Sequence, residues 1–178
     1  MIFVGGGAVI SEAAAEVKEL VEKLDAPICD SLMGKGAMDG TDEHYTGMLG
    51  MHGTKTSNLG VTQCDLLIAI GVRFSDRVAG NAKKFAPKAK IVHIDVDPAE
   101  INKNVAVYKA VIGDVKEVLD RLLPLLNKTE HKEWMAQIKE MKEKFPPKYD
   151  ESKLTGPYIM ETLYKVTNGD AVVTTEVG

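Results

Sequence analysis

The sequence has few cysteines and no cluster of ligand residues around them. Cys29 and Cys64 are the two cysteines among 178 residues, and neither belongs to a Cys-x-x-Cys pair or lies near a histidine cluster. The spacing does not match the common zinc and redox motifs. It favours two buried, reduced thiols, as expected in a reducing compartment.

Basic runs and long apolar stretches are also missing. The formal net charge is -4 and no dense run of Lys and Arg occurs, so the sequence lacks the electrostatic footprint of a nucleic-acid or anionic-membrane binder. No window approaches the roughly 20 apolar residues of a membrane span. Residues 1–7 lack the basic leader and apolar length of a signal peptide. We expect a cytosolic protein without nucleic-acid or membrane partners.

An ordinary globular composition is present, with 44% apolar and 27% charged residues, which is enough for one good core. Short apolar runs alternate with amphipathic stretches. This alternation predicts an α/β fold with an open, doubly wound, mostly parallel, Rossmann-like sheet. The predicted strands are residues 2–4, 27–31, 66–70, 90–95 and 108–112, and the predicted helices are 11–24 (capped by Ser11), 54–63 and 115–126.

The long Gly-rich segment of residues 32–53 is predicted to be a connection, and long connections often carry function. The character changes after Pro124. Residues 130–144 predict a charged linker helix that Pro146 and Pro147 stop, and a further helix (156–166) and strand (170–175, then Glu-Val-Gly) follow. We therefore expect a nucleotide-binding domain (1–128), a linker helix (129–152) and the start of a further domain (153–178). Since the chain begins and ends on predicted strands, we expect a fragment of a larger protein.

The carboxyl ends of parallel strands meet at one sheet edge, which is where such folds bind ligands. Glycines, a hydroxyl, a cation and carboxylates are predicted to meet there. They belong to Gly5-Gly6-Gly7, Ser31-Leu32-Met33, Gly71-Val72-Arg73-Phe74, Asp95-Val96 and Gly113-Asp114-Val115. Glycines allow the backbone to approach a phosphate group, and carboxylates accept hydrogen bonds from ribose hydroxyl groups. This set indicates a nucleotide site, with Arg73 and Arg77 as clamps for a diphosphate.

Simpler interpretations stay open for these polar residues. Ile10 stands where the last glycine of G-x-G-x-x-G belongs, so the glycines could form a plain turn. Asp95 could cap a helix beginning near Pro98. The two arginines could be solvated charges that pair with Asp76 or Asp42.

Histidines and methionines leave similar choices. His52 could be a metal ligand, although no second ligand lies at metal spacing, and a structural or cofactor-packing role is favoured. His93 alternates with apolar residues and is interpreted as a buried, hydrogen-bonded core residue. Met33, Met38, Met48 and Met51 fill the core or form an adaptable apolar wall for a flat ring, and their Gly-rich setting favours the wall.

Five segments closely resemble the central domain of the acetolactate synthase (acetohydroxyacid synthase) large-subunit family. They are "FVGGG", "SLMGKGAMD", "GMLGMHGTKTSNLGVTQCDLLIAIGVRFSDRV", "KIVHIDVDPAEINKN" and "GDV". The resemblance covers nearly the whole chain, and "GMHG" and "GVRFSDR" are its most specific parts. Ser75 stands where many members have aspartate. The closing "GDAVVTTEVG" resembles the first strand of the family's carboxyl-terminal, diphosphate-binding domain.

The resemblance implies a three-domain enzyme that depends on thiamine diphosphate and Mg²⁺. It would decarboxylate pyruvate and join the hydroxyethyl group to a second 2-oxo acid, giving acetolactate or acetohydroxybutyrate for branched-chain amino acids. The central domain, of the DHS-like NAD/FAD-binding fold, would hold an FAD without a redox role in the net reaction. The residues implied to line the FAD site are Gly5, Gly6, Ser31, Leu32, Met33, Leu49, Gly50, Met51, His52, Gly71, Val72, Arg73, Phe74, Ser75, Arg77, Asp95, Val96, Asp114 and Val115.

The family's catalytic and metal motifs have no counterpart in this sequence. The activating glutamate belongs to the family's amino-terminal domain. The Gly-Asp-Gly metal motif is missing because Val115 follows Gly113-Asp114 and Ala171 follows Gly169-Asp170. We assign no catalytic or metal residue and expect the isolated chain to be inactive.

The resemblance also implies partners: the other domains of the same enzyme, a possible regulatory subunit and a homo-oligomeric parent. Two alternatives stay open. One is the central domain of another thiamine enzyme that binds ADP or no nucleotide. The other is a freestanding NAD-binding module.

Overall fold

A six-stranded sheet organises the computed structural model, which describes residues 1–175. The strands are β1 (Ile2–Val4), β2 (Ile28–Asp30), β3 (Tyr45–Met48), β4 (Leu66–Ile70), β5 (Lys90–Asp95) and β6 (Lys109–Ile112). Their order is β3-β2-β1-β4-β5-β6 and every pair is parallel. The winding direction reverses between β1 and β4, which is where open α/β sheets form ligand crevices. The predicted Rossmann-like, doubly wound fold is confirmed.

The helices are α1 (Gly6–Ile10), α2 (Ala14–Leu24), α3 (Lys55–Gln63), α4 (Asp76–Ala79), α5 (Val115–Leu122), α6 (Lys132–Lys144) and α7 (Gly156–Thr167). Helix α2 packs with α5, and α3 packs with α6. Successive residues of a strand face opposite sides of the sheet. Accordingly, Ile2 and Val4 belong to one buried cluster with Leu20 and Leu119, whereas Phe3 belongs to a second. Both cysteines are free and buried, as predicted.

The segment after β1 differs from the prediction. Ser11 does not cap a long helix, because its hydroxyl donates to Gly7 O over 2.8 Å at the end of the short helix α1. Glu12 then takes a positive φ of 55° and α2 begins after Ala13. Two helices, α1 and α2, thus replace the single predicted helix, and the first of them begins at the glycines.

The predicted connection 32–53 contains a strand that the sequence analysis missed. Strand β3 pairs with β2 through an irregular register and adds the outer strand of the sheet. Its buried Thr46 donates to Ile28 O at 3.0 Å and contacts the Ser57 hydroxyl at 2.8 Å. These hydrogen bonds allow a polar residue to be buried in β3. The strand therefore lacks the apolar run by which strands were recognised in the sequence.

Smaller corrections concern element ends. Pro124 stops α5 at Leu122, and a 3-10 turn (Leu123–Leu125) replaces its predicted last turn. The short helix α4 was missed. The structure divides into two compact units, residues 1–145 and residues from 146 onward, and α6 belongs to the first. The domain boundaries predicted from the sequence stay predictions.

The second unit contains α7, which Thr155 caps by accepting a hydrogen bond from the Tyr158 N–H at 3.4 Å. Residues 170–175 do not form the predicted strand, and the described part of this unit supplies no other strand to pair with them. The last part of that prediction, Glu-Val-Gly, lies outside the described residues. No helix within residues 1–175 is long and apolar enough to cross a membrane.

The turn after β2 packs directly on the end of β1 at Gly34. A Cβ atom at Gly34 would collide with the carbonyl oxygen of Val4 and lie 2.9 Å from its carbonyl carbon. Gly40, in the same connection, has room, since its Cβ would lie 3.8 Å from the Tyr45 ring. Of these two positions, only Gly34 therefore requires glycine for steric reasons.

We expect Gly34→Ala to lower the free energy of unfolding by about 1–3 kcal/mol, because the backbone must shift to admit the methyl group. Gly40→Ala is the matched control and should change it by less than about 0.5 kcal/mol. Urea denaturation of the full chain measures both values. Equal effects of the two substitutions would contradict the packing described for Gly34.

Candidate functional site

Backbone hydrogen bonds join the carboxyl ends of the strands into one row. From β1 towards β6, Gly7 N–H donates to Gly71 O at 3.1 Å, Gly71 N–H to Ile94 O at 2.8 Å and Gly113 N–H to Asp95 O at 3.0 Å. Towards β3, Ser31 N–H donates to Val4 O at 2.9 Å and Leu49 N–H to Asp30 O at 2.8 Å. The structure therefore brings the predicted strand ends together along one edge.

Three glycines allow the turns after β1 and β4 to touch. A Cβ on Gly7 would lie 2.7 Å from the Gly71 Cα, and one on Gly71 would lie 2.6 Å from the Gly7 Cα. A Cβ on Gly5 would collide with Gly71 O. Gly71 also has a φ of +59°, which favours glycine. Close contact between the two turns thus explains these glycines without any ligand.

Large apolar side chains are exposed along this edge. Leu32 and Met33 follow β2, Met51 follows β3 and Val96 follows β5, with exposed fractions of 68%, 70%, 73% and 68%. Large exposed apolar side chains at one edge of a sheet are a common feature of binding sites. Met38 was expected in the same apolar wall, but it is 8% exposed and belongs to the core. Met33 and Met51 are left as the exposed pair.

Other predicted site residues turn their side chains into the core. Leu49, Val72, Phe74 and Val115 are each 3% exposed, so their backbones alone are within reach of a ligand. The loop after β3 reaches α4, because Met51 N–H donates to Arg77 O at 2.8 Å. Gly50, with a φ of +105°, leaves no room for a Cβ beside that carbonyl. This contact places His52 and Ser75, both exposed, in neighbouring segments.

Both predicted arginines are exposed. Within residues 1–175 neither guanidinium forms an ion pair, so the alternative pairing with Asp76 or Asp42 is not formed. Asp42 instead contacts His44 Nδ1 at 2.9 Å. Two cations therefore stand at this edge without a carboxylate partner from the described part of the chain.

The two predicted carboxylates serve local turns. Asp95 is 7% exposed and accepts from the Asp97 N–H at 2.9 Å. Asp97, not Asp95, caps the 3-10 turn at Pro98 by accepting from Ala99 N–H, so that alternative for Asp95 is wrong. Asp114 caps α5 with one oxygen. The second oxygen of Asp114 makes no hydrogen bond within residues 1–175.

The sequence analysis missed a buried acid at the end of β2. The Asp30 side chain is 4% exposed; its Oδ2 accepts from the Tyr45 hydroxyl at 2.8 Å, and its Oδ1 lies 3.6 Å from Lys35 Nζ. Burial first, and then this carboxylate, raise the pKa of Tyr45. Dinucleotide folds often carry an acid about 20 residues after the glycine turn. That spacing could have identified Asp30, although its oxygens here face internal partners.

The histidines take different positions. His93 is fully buried and hydrogen-bonded, which confirms its predicted role in the core. His52 is exposed. In the described part of the chain, no group of three or more His, Cys, Asp or Glu side chains is arranged to hold a metal ion.

Comparison with known proteins places most of the chain in one family. The family described as "Thiamine pyrophosphate enzyme, central domain" matches residues 1–122. The chain belongs to this family. The predicted resemblance is therefore confirmed at the level of the family.

The relatives carry a consistent name. The acetolactate synthase large subunit of Haemophilus influenzae and isozyme 3 large subunit of Escherichia coli are each 39% identical over 100% of this chain. The probable acetolactate synthase large subunit of Methanocaldococcus jannaschii is 43% identical over the same extent. The alignments cover 32%, 33% and 32% of those proteins, respectively. This chain thus spans about a third of the length of the relatives it matches.

We expect Tyr45→Phe to lower the free energy of unfolding by about 1–3 kcal/mol, because it leaves a buried oxygen of Asp30 without its donor. Tyr108→Phe is the control, since Tyr108 is 69% exposed, and should change stability by less than about 0.5 kcal/mol. Chemical denaturation measures both. If the Tyr45 and Tyr108 variants were equally stable, the hydroxyl would not support Asp30.

Proposed function

We propose that this chain is the central part of an acetolactate synthase large subunit and binds FAD at the carboxyl edge of the sheet. One observation carries the proposal. A continuous row of strand ends exposes large apolar side chains and two arginines that form no ion pair within residues 1–175, in a chain about 40% identical to acetolactate synthase large subunits.

The residues present suit the chemical parts of FAD. Exposed Leu32, Met33 and Met51 can flank a flat ring system, since thioether and aliphatic groups adapt to apolar surfaces. Arg73 and Arg77 can donate charge-assisted hydrogen bonds to a diphosphate. Asp95 and the second oxygen of Asp114 can accept hydrogen bonds from hydroxyl groups of the nucleotide. The fit therefore involves β2, β3, β4, β5 and the start of α5.

In this proposal the bound FAD has a structural role and takes no part in the net redox balance of the reaction. The parent enzyme would join the hydroxyethyl group of one pyruvate to pyruvate or 2-oxobutyrate, with release of CO₂. Thiamine diphosphate and Mg²⁺ would be held by other domains. What this chain's residues do is bind and orient the flavin nucleotide.

The surroundings of Asp30 disfavour the alternative of a freestanding NAD-binding module that uses this acid. In NAD-binding folds the acid after β2 accepts a ribose hydroxyl. Here Tyr45 donates to one oxygen and Lys35 lies near the other. An incoming ribose would have to displace the Tyr45 hydroxyl or reach Oδ1, which is buried and has no hydrogen bond among the described residues, so binding of NAD in that manner is disfavoured.

We expect the purified full chain, mixed with FAD and passed through a desalting column, to retain the yellow flavin spectrum. Arg73→Met should weaken FAD binding by roughly 10- to 150-fold, because a charge-assisted hydrogen bond contributes about 1.5–3 kcal/mol. Titration of flavin fluorescence measures the dissociation constant.

Arg121→Met is the matched control, because Arg121 is an exposed arginine in the last turn of α5, and it should leave the dissociation constant unchanged. NAD and ADP added in excess should compete poorly with FAD. Stronger binding of NAD or ADP than of FAD would overturn the proposed cofactor and favour one of the two alternatives.

We also expect the chain alone to form no acetolactate from pyruvate with thiamine diphosphate, Mg²⁺ and FAD, because the family's activating glutamate belongs to its amino-terminal domain and no residue of this sequence matches it. Colorimetric detection of acetolactate tests this. Product above the level of a protein-free blank would show that catalytic groups lie within this chain.

Several expectations stay predictions. They are the cytosolic location, the absence of nucleic-acid partners, the association with other domains or a regulatory subunit, and the homo-oligomeric parent.

A further inference from the structure

We infer that His93 is a positioning residue that holds the turn after β4 so that Arg73 faces the carboxyl edge. This inference rests on the proposed FAD site, to which it adds a residue that does not contact the ligand. The contacts of the turn carry it.

The turn contains two residues with positive φ, and for one of them, Phe74, this conformation is unusual. Gly71 has a φ of +59° and Phe74 a φ of +44°, and a positive φ is unfavourable for a bulky residue such as phenylalanine. Such a conformation persists only if neighbouring groups hold it in place. The turn therefore needs specific anchors.

Buried residues on both sides of Arg73 supply part of the anchoring. Val72 and Phe74 are each 3% exposed, whereas Arg73 is exposed. The Phe74 ring packs against Phe3, with ring centroids 6.1 Å apart, and edge-on against Phe85 at 5.6 Å. Since its two neighbours are fixed inward, the Arg73 side chain is left on the outside.

His93 supplies a buried polar anchor beneath this turn, and the exposed Asn104 amide adds a longer bond to Arg73 O at 3.3 Å. Its Nε2 lies 2.8 Å from Val72 O, and its ring lies edge-on to Phe74 with centroids 5.0 Å apart. Because a carbonyl only accepts, Nε2 carries the proton and donates. Val72 O belongs to the peptide that leads into Arg73, so this bond fixes the orientation of that peptide.

The ring's other nitrogen has no partner. Nδ1 of His93 is buried without a hydrogen bond among the described residues, and such a group is costly in a protein core. Asp95 Oδ2 lies 3.6 Å from Nε2, too far for a hydrogen bond. A core position chosen for packing alone would favour an apolar residue. The hydrogen bond that His93 donates to Val72 O is what an apolar residue at this position could not provide.

The test compares FAD binding by the full chain and two variants. His93→Leu keeps an apolar side chain of similar size but removes the donor, and should weaken FAD binding about three- to tenfold. His93→Gln places an amide N–H near the former Nε2 and should restore most of the affinity. If His93→Leu does not fold, His93→Asn, whose amide is too short to reach Val72 O, gives the same comparison.

A double-mutant cycle separates positioning from general packing. If His93 acts through Arg73, His93→Leu should have little further effect on FAD affinity in an Arg73→Met background. Equal effects of His93→Leu in both backgrounds would overturn the inference while leaving the FAD proposal intact. No binding of FAD by the unsubstituted chain would instead overturn the FAD proposal.

A second measurement needs no ligand. Trypsin should cleave after Arg73 several times faster in His93→Leu than in the unsubstituted chain or His93→Gln, because the turn opens more often. Cleavage after Lys153, which is exposed in the second unit, provides the internal reference and should not change. Unchanged cleavage after Arg73 would overturn the inference even if FAD does not bind.

Discussion

The direct backbone contact between the turns after β1 and β4 is the constraint on which the rest of the edge depends. Gly7 and Gly71 approach so closely that a methyl group on either would lie within 2.7 Å of the other's Cα. The contact fixes the two central strands where the winding direction reverses. Neighbouring turns are then placed by backbone bonds to these strands, from Ser31 to Val4 and from Gly71 to Ile94. Geometry at this edge is therefore set by backbone, and side chains remain free for recognition.

The alternation of buried and exposed residues decides which side chains are accessible to a ligand. In the turn after β4, Val72 and Phe74 anchor in the core while Arg73 is exposed. After β2, Gly34 packs against Val4 while Leu32 and Met33 are exposed. Each exposed side chain thus lies within a few residues of an anchor that limits its freedom. Such preorganisation reduces the entropy that a ligand must overcome on binding.

The sequence predicted the parallel sheet and its edge because apolar runs and glycine turns are local signals. It did not reveal β3, since the buried Thr46 is satisfied by hydrogen bonds to Ile28 and Ser57 that only the folded chain brings together. Likewise α1 was missed, because its two glycines, Gly6 and Gly7, have low helix propensity and tertiary contacts override it. Conversely, residues 170–175 have strand-like composition, but a strand also needs a partner. The elements predicted wrongly from the sequence are therefore those whose structure depends on contacts between residues far apart in the chain.

Asp30 shows how one position of a common fold is used differently. An acid at the end of β2 commonly faces a ribose in dinucleotide folds. In this chain the neighbouring strand places the Tyr45 hydroxyl 2.8 Å from one oxygen, and Lys35 approaches the other. The carboxylate thereby ties β2 to β3 and to the loop that carries Met33. In the proposed FAD site, polar recognition falls instead to Arg73 and Arg77, which follow β4, and to Asp95 at the end of β5. The same topology can thus offer different polar groups to a ligand, because a carboxylate that already accepts an internal hydrogen bond is less available for recognition.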